Sequence, residues 1–285
     1  MHGLVVMNSN EPKIYVLPNL MTAGNLFCGF MAILTIFEGM MIVPDNLLGG
    51  RQFYERAILL IFGACLFDLL DGRLARLGGK ESPFGQQFDS IADVVSFGVA
   101  PALLVFNIVL MDLPSQAGWI VAFLYLLCGA MRLARFNCMI DAPSDNGSKD
   151  FLGLPIPMAA ATTASLTIFM IWIEEGEREL GVGRFVLPVI LVLLSLMMMS
   201  SLRYPSFKNL GWKSRGSWLG LVGVVVILVL LVKFYYVAPA VACVSYVLYG
   251  LVRPWISARW RREIEEPFDV DVENGDAETN TKSEK

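Results

Sequence analysis

The sequence predicts an all-α protein that crosses a membrane about eight times. Of its 285 residues, 55% are hydrophobic and only 17% are charged, and the mean hydropathy is +0.59. Several apolar runs approach the ~20 residues that a helix needs to cross the hydrocarbon core. Lysine and arginine are also distributed unevenly between the loops that separate these runs. Together these features are typical of a polytopic membrane protein.

Each predicted span follows from an apolar run bounded by polar residues. The eight runs cover residues 20–42, 54–77, 85–111, 117–138, 155–173, 185–203, 217–234 and 237–257. The last two are separated by a very tight turn, so they form either two spans or one broken hairpin.

The predicted transmembrane domain covers residues 20–257 and is flanked by two polar segments. Residues 1–19 form a juxtamembrane segment without a short apolar core, so no cleaved signal peptide is expected. Residues 258–285 are polar with few aromatic residues, which predicts a disordered cytoplasmic tail.

The orientation follows from the basic residues, because cytoplasmic loops carry an excess of lysine and arginine. One side of the predicted topology holds most of the 22 basic residues, and the other holds Arg51, Arg56, Arg178, Arg184 and Lys233. Both termini and the loop around Lys80 are therefore predicted to face the cytoplasm, in a protein of the cell (inner) membrane.

Four aspartates lie inside predicted helices, where a carboxylate is costly and marks a functional site. Asp68 and Asp71 are three residues apart, and Asp89 and Asp93 are four apart, so each pair shares one helix face. If the intervening turn is centred near Lys80, an antiparallel hairpin pairs Asp71 with Asp89 and Asp68 with Asp93. We therefore expect all four carboxylates at one site.

Such a site favours divalent cations, because four adjacent carboxylates repel one another unless positive charge holds them together. Oxygen ligands without sulfur or imidazole indicate Mg²⁺ or Mn²⁺, and two ions would offset the four charges and suit in-line displacement at phosphorus. The only histidine, His2, is terminal, so carboxylates have to carry any proton transfer.

Small residues and one arginine accompany the acids. Gly72, Ala75 and Gly85 remove side-chain bulk, which permits the close approach either of helices or of a flat ligand. Arg76 supplies a fixed cation for phosphate oxygens.

The spaced pattern Asp68-x-x-Asp71-Gly72-x-x-Ala75-Arg76, continued by Gly85, Asp89 and Asp93, resembles the complete signature of the CDP-alcohol phosphatidyltransferases. The resemblance implies transfer of a phosphatidyl group from a cytidine-diphosphate lipid to an alcohol, with Mg²⁺ or Mn²⁺ and release of CMP. It implies the following roles: Asp68, Asp71 and Asp89 as metal ligands, Asp93 as a shared ligand or general base, Gly72, Ala75 and Gly85 in the nucleotide pocket, and Arg76 on the diphosphate.

Three further segments resemble the branch of this family that accepts serine, the membrane-integral phosphatidylserine synthases. They are Pro18–Gly29, Arg132–Asn137 with the following Phe151–Ala160, and Met199–Lys208. This resemblance implies CDP-diacylglycerol and L-serine as substrates. Thr22 and Asn25 would then reach the CDP-lipid, although capping of the first helix is an equal alternative.

The serine site is predicted at the end of the fourth span. A carboxylate ligand needs a bidentate cation, which Arg132 or Arg135 provides, and Asn137 could bind either end of an amino acid. The alternative is that both arginines only anchor a helix end at the membrane interface. Arg203 and Lys208 would bind either phosphate or anionic headgroups.

Two rival functions remain open at this stage. Another acceptor, such as glycerol 3-phosphate or an inositol phosphate, would favour a denser basic pocket. A cation transporter would use the acids as an ion path, but their clustering at one membrane boundary argues against this. Membrane lipids are expected partners and nucleic acid is not, while the ester or ether linkage of the lipid and the oligomeric state, including a homodimer, stay open.

Overall fold

The computed structural model describes residues 16–42, 47–78, 82–113, 117–140, 151–175, 185–204 and 234–253. Its α-helices are α1 (Val16–Ile42), α2 (Leu47–Gly78), α3 (Pro83–Asp93), α4 (Ala100–Ile108), α5 (Ala117–Ile140), α6 (Ile156–Glu175), α7 (Val186–Met199) and α8 (Ala238–Val252). A π-helical turn, Val94–Val99, joins α3 to α4, and a 3-10 turn, Leu110–Asp112, follows α4. Two strands of two residues each, β1 (Phe151–Leu152) and β2 (Arg203–Tyr204), pair antiparallel.

The helical membrane architecture predicted from the sequence is confirmed. Within the described part of the chain, four helical stretches are long and apolar enough to cross a membrane: Leu17–Ile42, Pro83–Ile108, Ala117–Cys138 and Ile156–Ile173. Helices α7 and α8 are apolar but shorter. The count of eight spans stays a prediction: α2, which contains the predicted span 54–77, is not among these four helices, and residues 217–233 of the seventh run lie outside the described residues. The loop at Lys80, residues 1–15 and the tail 258–285 also lie outside the described residues.

The surface of the helices carries large apolar side chains, as expected where the surrounding solvent is lipid. Phe27, Leu66, Ile91 and Val189 are each more than half exposed, at 63%, 59%, 60% and 68%. The interior instead contains many small residues, including fully buried alanines on α1, α2 and α6. Small interior residues let helix backbones approach closely, which drives helix association in membranes.

Gly29 of α1 allows the π turn to approach the backbone of α1. A Cβ atom at this position would lie 2.2 Å from the Ser96 Oγ and 2.6 Å from the Ser96 Cα. The Ser96 hydroxyl donates a hydrogen bond of 3.0 Å to the Asn25 carbonyl, one turn earlier on α1. This contact fixes the end of α3 against α1.

The start of α3 has a clear local cause. The Ser82 side chain caps the helix by accepting a hydrogen bond of 3.0 Å from the Gly85 N–H, and Pro83 occupies the first turn, where no N–H is needed.

Beyond the π turn, Pro101 has no N–H to donate to the Phe97 carbonyl, four residues earlier. The buried Tyr125 hydroxyl of α5 donates there at 3.2 Å instead. A single span from Pro83 to Ile108 is therefore tied to both α1 and α5.

The strand pair joins the beginning of α6 to the end of α7. Gly153 has a φ of 79°, which favours glycine, and a Cβ there would lie 2.3 Å from the Met198 carbonyl oxygen. Its N–H donates to the Leu202 carbonyl at 2.8 Å, and the Leu154 N–H donates to the Met197 carbonyl at 3.1 Å.

Candidate active site

The aspartates from α2 and α3 converge as a carboxylate cluster. Asp68, Asp89 and Asp93 each offer an oxygen atom, and these atoms lie within 4.8 Å of one another. Asp93 is buried, whereas Asp68 and Asp89 are partly exposed. Asp71, which the helical spacing pairs with Asp89, is also buried but lies outside this close set.

Helix α1 supplies hydrogen-bond donors to two of the aspartates. The Thr22 hydroxyl donates to Asp71 Oδ2, and the Asn25 amide donates to Asp93 Oδ1 at 3.0 Å. Both donors are neutral, so they orient the carboxylates without cancelling their charge. The sequence left open whether these two residues cap α1; here their side chains contact the aspartates.

The donor set of the cluster fits a divalent cation. It consists of carboxylate oxygens, the hard ligands that Mg²⁺ and Mn²⁺ prefer. The Arg132 guanidinium lies within electrostatic range of Asp68 and Asp93, but no arginine or lysine among the described residues forms an ion pair with either carboxylate. The absence of an ion pair at Asp68 and Asp93 within the described residues is compatible with a bound cation that balances their charge.

The predicted nucleotide-pocket residues lie beside this cluster. Gly85 is in the first turn of α3, and a Cβ there would lie 3.2 Å from both Asn19 Oδ1 and Ser82 Oγ. The Asn19 Nδ2 is buried and has no hydrogen-bond partner among the described residues. Gly72 follows Asp71 in α2. Ala75 and Arg76 belong to the same helix, but their side chains lie outside the described part of the structure.

The three residues predicted to bind serine have different environments. Arg135 donates hydrogen bonds to the carbonyls of Met199, at 3.1 Å, and Ser200, at 3.4 Å, and so ties α5 to the end of α7. Arg132 is 6% exposed, and its Nε has no hydrogen-bond partner among the described residues. Its guanidinium is within electrostatic range of Asp68 and Asp93 and of Tyr246 of α8.

Asn137 connects α5 to α3 through its amide. Its Nδ2 donates to the Ser90 hydroxyl at 2.9 Å, and its Oδ1 accepts a hydrogen bond of 3.4 Å from the Gln86 amide. Both ends of the amide are therefore engaged by the helix that carries Asp89 and Asp93.

Sequence reasoning did not single out two groups of residues near the site. Ser96 lies three residues after Asp93, and this helical spacing is a signal that could have identified it. A serine in an apolar run is, however, also typical of ordinary helix packing. Tyr246 and Arg253 lie in α8 and at its end, where no spacing links them to Arg132.

The described part of the chain is an almost entirely helical membrane fold, and neighbouring helices bring together a cluster of aspartates that could hold a metal ion. The profile of the CDP-alcohol phosphatidyltransferase family matches residues 15–200, and the chain belongs to this family. The matched region contains α1 to α7 and all four aspartates.

Curated proteins from bacteria and archaea are similar to this chain over most of its length. The CDP-diacylglycerol–serine O-phosphatidyltransferase of Helicobacter pylori is 33% identical over 251 residues, which cover 85% of this chain and 92% of the relative. The archaetidylserine synthase of Methanothermobacter thermautotrophicus is 33% identical over 209 residues, covering 72% and 77%. The CDP-diacylglycerol–serine O-phosphatidyltransferase of Bacillus subtilis is 31% identical over 193 residues, covering 68% and 92%.

Proposed function

We propose that this chain transfers the phosphatidyl group of CDP-diacylglycerol to the hydroxyl of L-serine, forming phosphatidylserine and releasing CMP. The chain is an integral membrane transferase of phospholipid biosynthesis, in keeping with its family and its apolar helices. Relatives from Helicobacter pylori and Bacillus subtilis are named for this reaction. The observation that carries the proposal is the cluster of Asp68, Asp89 and Asp93 within the region that matches the family.

Asp68, Asp89 and Asp93 are the proposed ligands of Mg²⁺ or Mn²⁺. Asp71 is the fourth carboxylate of the proposed site, which would bind two such ions. When bound, such ions neutralise diphosphate oxygens and stabilise the charge that develops at phosphorus. Support comes from the all-oxygen donor set and from the neutral donors on α1 that orient Asp71 and Asp93.

Gly72, Ala75 and Gly85 are the proposed walls of the nucleotide pocket, and Arg76 the proposed contact of the diphosphate. Gly85 supports this assignment, because its nearest neighbours include the Asn19 side chain, whose buried amide N–H₂ is available to a ligand. Thr22 and Asn25 assist donor binding through the aspartates that they hold.

Asp93 is the proposed acceptor of the serine proton. The serine oxygen forms a bond to the phosphorus that bears diacylglycerol, and the bond from this phosphorus to the oxygen of CMP breaks. The proton passes to Asp93 while the electron pair of the broken bond leaves with CMP. The hydrogen bond from Asn25 holds the Asp93 carboxylate in place for this transfer.

Arg132 is the proposed partner of the serine carboxylate. A guanidinium binds a carboxylate through two parallel hydrogen bonds, and the buried Arg132 Nε is available for one of them. Arg132 also lies within electrostatic range of Asp93, where the serine hydroxyl has to react. Arg135 and Asn137 are assigned instead to holding α5 against α7 and α3, as their hydrogen bonds indicate.

The site is proposed to face the cytoplasm from the inner membrane, because basic residues are concentrated on that side of the predicted topology. A cysteine introduced at Lys80, which lies outside the described residues, should react with an impermeant thiol reagent only after the cytoplasmic face is opened. Labelling of this cysteine in intact cells would show that the loop faces the outside, which would contradict the proposed orientation.

The proposed reaction is tested with purified protein, CDP-diacylglycerol and Mn²⁺ by following CMP release with different acceptors. Serine should support release, whereas ethanolamine should be a poor acceptor because it leaves the buried guanidinium unpaired. A preference for glycerol 3-phosphate or an inositol phosphate over serine would contradict the assigned acceptor.

A further inference from the structure

Helix α8 packs against the strand residue Tyr204. The ring centroids of Tyr204 and Tyr246 are 5.8 Å apart. Gly250, one turn after Tyr246, has no side chain to keep α8 away, and a Cβ there would lie 1.9 Å from the Tyr204 Cε1. Arg253, at the end of the helix, is 4% exposed. The ring of Tyr204 is thus enclosed between α8 and the rest of the fold.

Two buried polar groups at this place have unused hydrogen-bonding capacity. Tyr204 is 0% exposed, and its hydroxyl has no hydrogen-bond partner among the described residues. The same is true of the Arg132 Nε. Leaving a buried donor unpaired is costly, and a group that a ligand satisfies on binding is one reason why a native protein retains it.

The two groups belong to one neighbourhood. The Tyr246 hydroxyl lies within electrostatic range of the Arg132 and Arg253 guanidinium groups and of the Tyr204 hydroxyl. Arg132 in turn is within electrostatic range of Asp68 and Asp93. Arg132 is therefore within electrostatic range both of the carboxylate cluster and of Tyr246, whose ring packs on Tyr204.

We propose that Tyr204 completes the acceptor site by donating a hydrogen bond from its hydroxyl to the carboxylate of the bound amino acid. Arg132 binds the same carboxylate, and α8 closes this side of the site by holding the Tyr204 ring through Tyr246 and Gly250. This inference rests on the proposed function, since it assigns a further residue to serine binding.

The chemistry of serine fits this arrangement. Only two carbon atoms separate its carboxylate carbon from its hydroxyl oxygen, so the proposal requires its hydroxyl to react close to Arg132, which is within electrostatic range of Asp93. A carboxylate accepts several hydrogen bonds at once, whereas the ammonium group of serine accepts none. The Arg132 guanidinium can only donate and the Tyr204 hydroxyl can donate as well, so together they favour the carboxylate end.

The test is the pair of variants Tyr204→Phe and Tyr125→Phe. Both tyrosines are 0% exposed, but the Tyr125 hydroxyl is already bonded to the Phe97 carbonyl. Tyr204→Phe should raise the KM for serine at least about tenfold, the usual effect of losing a hydrogen bond to a charged group, and leave the KM for CDP-diacylglycerol unchanged. Its thermal midpoint without serine should not fall, because an unpaired buried hydroxyl is removed.

Tyr125→Phe should show the opposite pattern, with a lower thermal midpoint and an unchanged KM for serine. A second variant, Gly250→Ala, pushes its new methyl group into the Tyr204 ring and should also raise the KM for serine without changing that for the donor. The double variant Arg132→Lys with Tyr204→Phe should lose less serine affinity than the product of the two single losses, because both residues bind one carboxylate.

A wild-type KM for serine in Tyr204→Phe, or equal losses of serine and donor affinity, would overturn the assignment of Tyr204 while leaving the reaction itself intact. Absence of serine-dependent CMP release by the native protein would overturn the proposed function and this inference with it.

Discussion

Replacement of Gly29 by alanine tests whether the contact between α1 and the π turn positions the aspartates. The added Cβ would lie 2.6 Å from the Ser96 Cα, whereas ordinary contacts are 3.4–4 Å, so the backbone of the π turn has to move by about 1 Å. Because Asp93 immediately precedes this turn, its carboxylate moves as well. A misplacement of about 1 Å at a reacting group costs on the order of 10²-fold in rate, or about 2.7 kcal/mol in activation free energy.

The matched control is Gly63→Ala in α2. Its added Cβ would have the Cys28 Sγ at 3.6 Å as its nearest neighbour, an ordinary contact. Alanine is also a better helix former than glycine by up to about 1 kcal/mol, so this variant should be fully active and at least as stable as the native protein. Gly29→Ala should in addition lose about 1–3 kcal/mol of stability through overpacking.

The assay is serine-dependent CMP release by both purified variants at saturating substrate, together with their thermal midpoints. If Gly29→Ala turned over serine as fast as Gly63→Ala, the close contact with Ser96 would not position the site.

Three further predictions concern individual side chains. Asp71→Asn and Asp89→Asn should each lower the rate of CMP release by ~10²-fold or more, about 3 kcal/mol, and excess chelator should abolish release by the native protein; near-normal turnover in either case would refute the metal site. Asp93→Asn should retain binding of CDP-diacylglycerol better than Asp89→Asn while losing transfer, and a wild-type rate across pH would limit Asp93 to coordination at most. Arg132→Lys keeps the charge but loses the planar fork of the guanidinium, so the KM for serine should rise. Arg135→Lys should lower the thermal midpoint and leave the KM for serine unchanged. Equal KM values in both variants and the native protein would contradict serine binding by Arg132 and favour a role only in membrane anchoring.

The convergence of α2 and α3 could be predicted from the sequence because helical periodicity determines which side chains share a face. Asp68 and Asp71, like Asp89 and Asp93, are spaced for one face, and a short connection makes their helices neighbours. The membrane class followed in the same way from apolar run lengths.

The detailed grouping of the acids could not be predicted, because it depends on tertiary contacts. A pairing of Asp71 with Asp89 was expected, yet Asp89 lies with Asp68 and Asp93, and Asp71 accepts its hydrogen bond from Thr22 on α1. Which face of α1 meets the aspartates is set by close packing of small residues, and no periodicity reveals it.

The different environments of Arg132 and Arg135 also could not be predicted from the sequence. Both residues end the same predicted span and have the same chemistry. Only the packing of α7, whose final carbonyls accept hydrogen bonds from Arg135, leaves Arg132 as the arginine whose Nε has no partner among the described residues.

The most direct test of the central claim is the transfer of tritiated serine into lipid by the purified protein. In the presence of CDP-diacylglycerol and Mn²⁺, the label should enter a chloroform-soluble product that comigrates with phosphatidylserine, and one CMP should be released for each serine incorporated. CMP release without incorporation of serine, or incorporation that does not depend on CDP-diacylglycerol, would contradict the assignment of this chain as a serine O-phosphatidyltransferase.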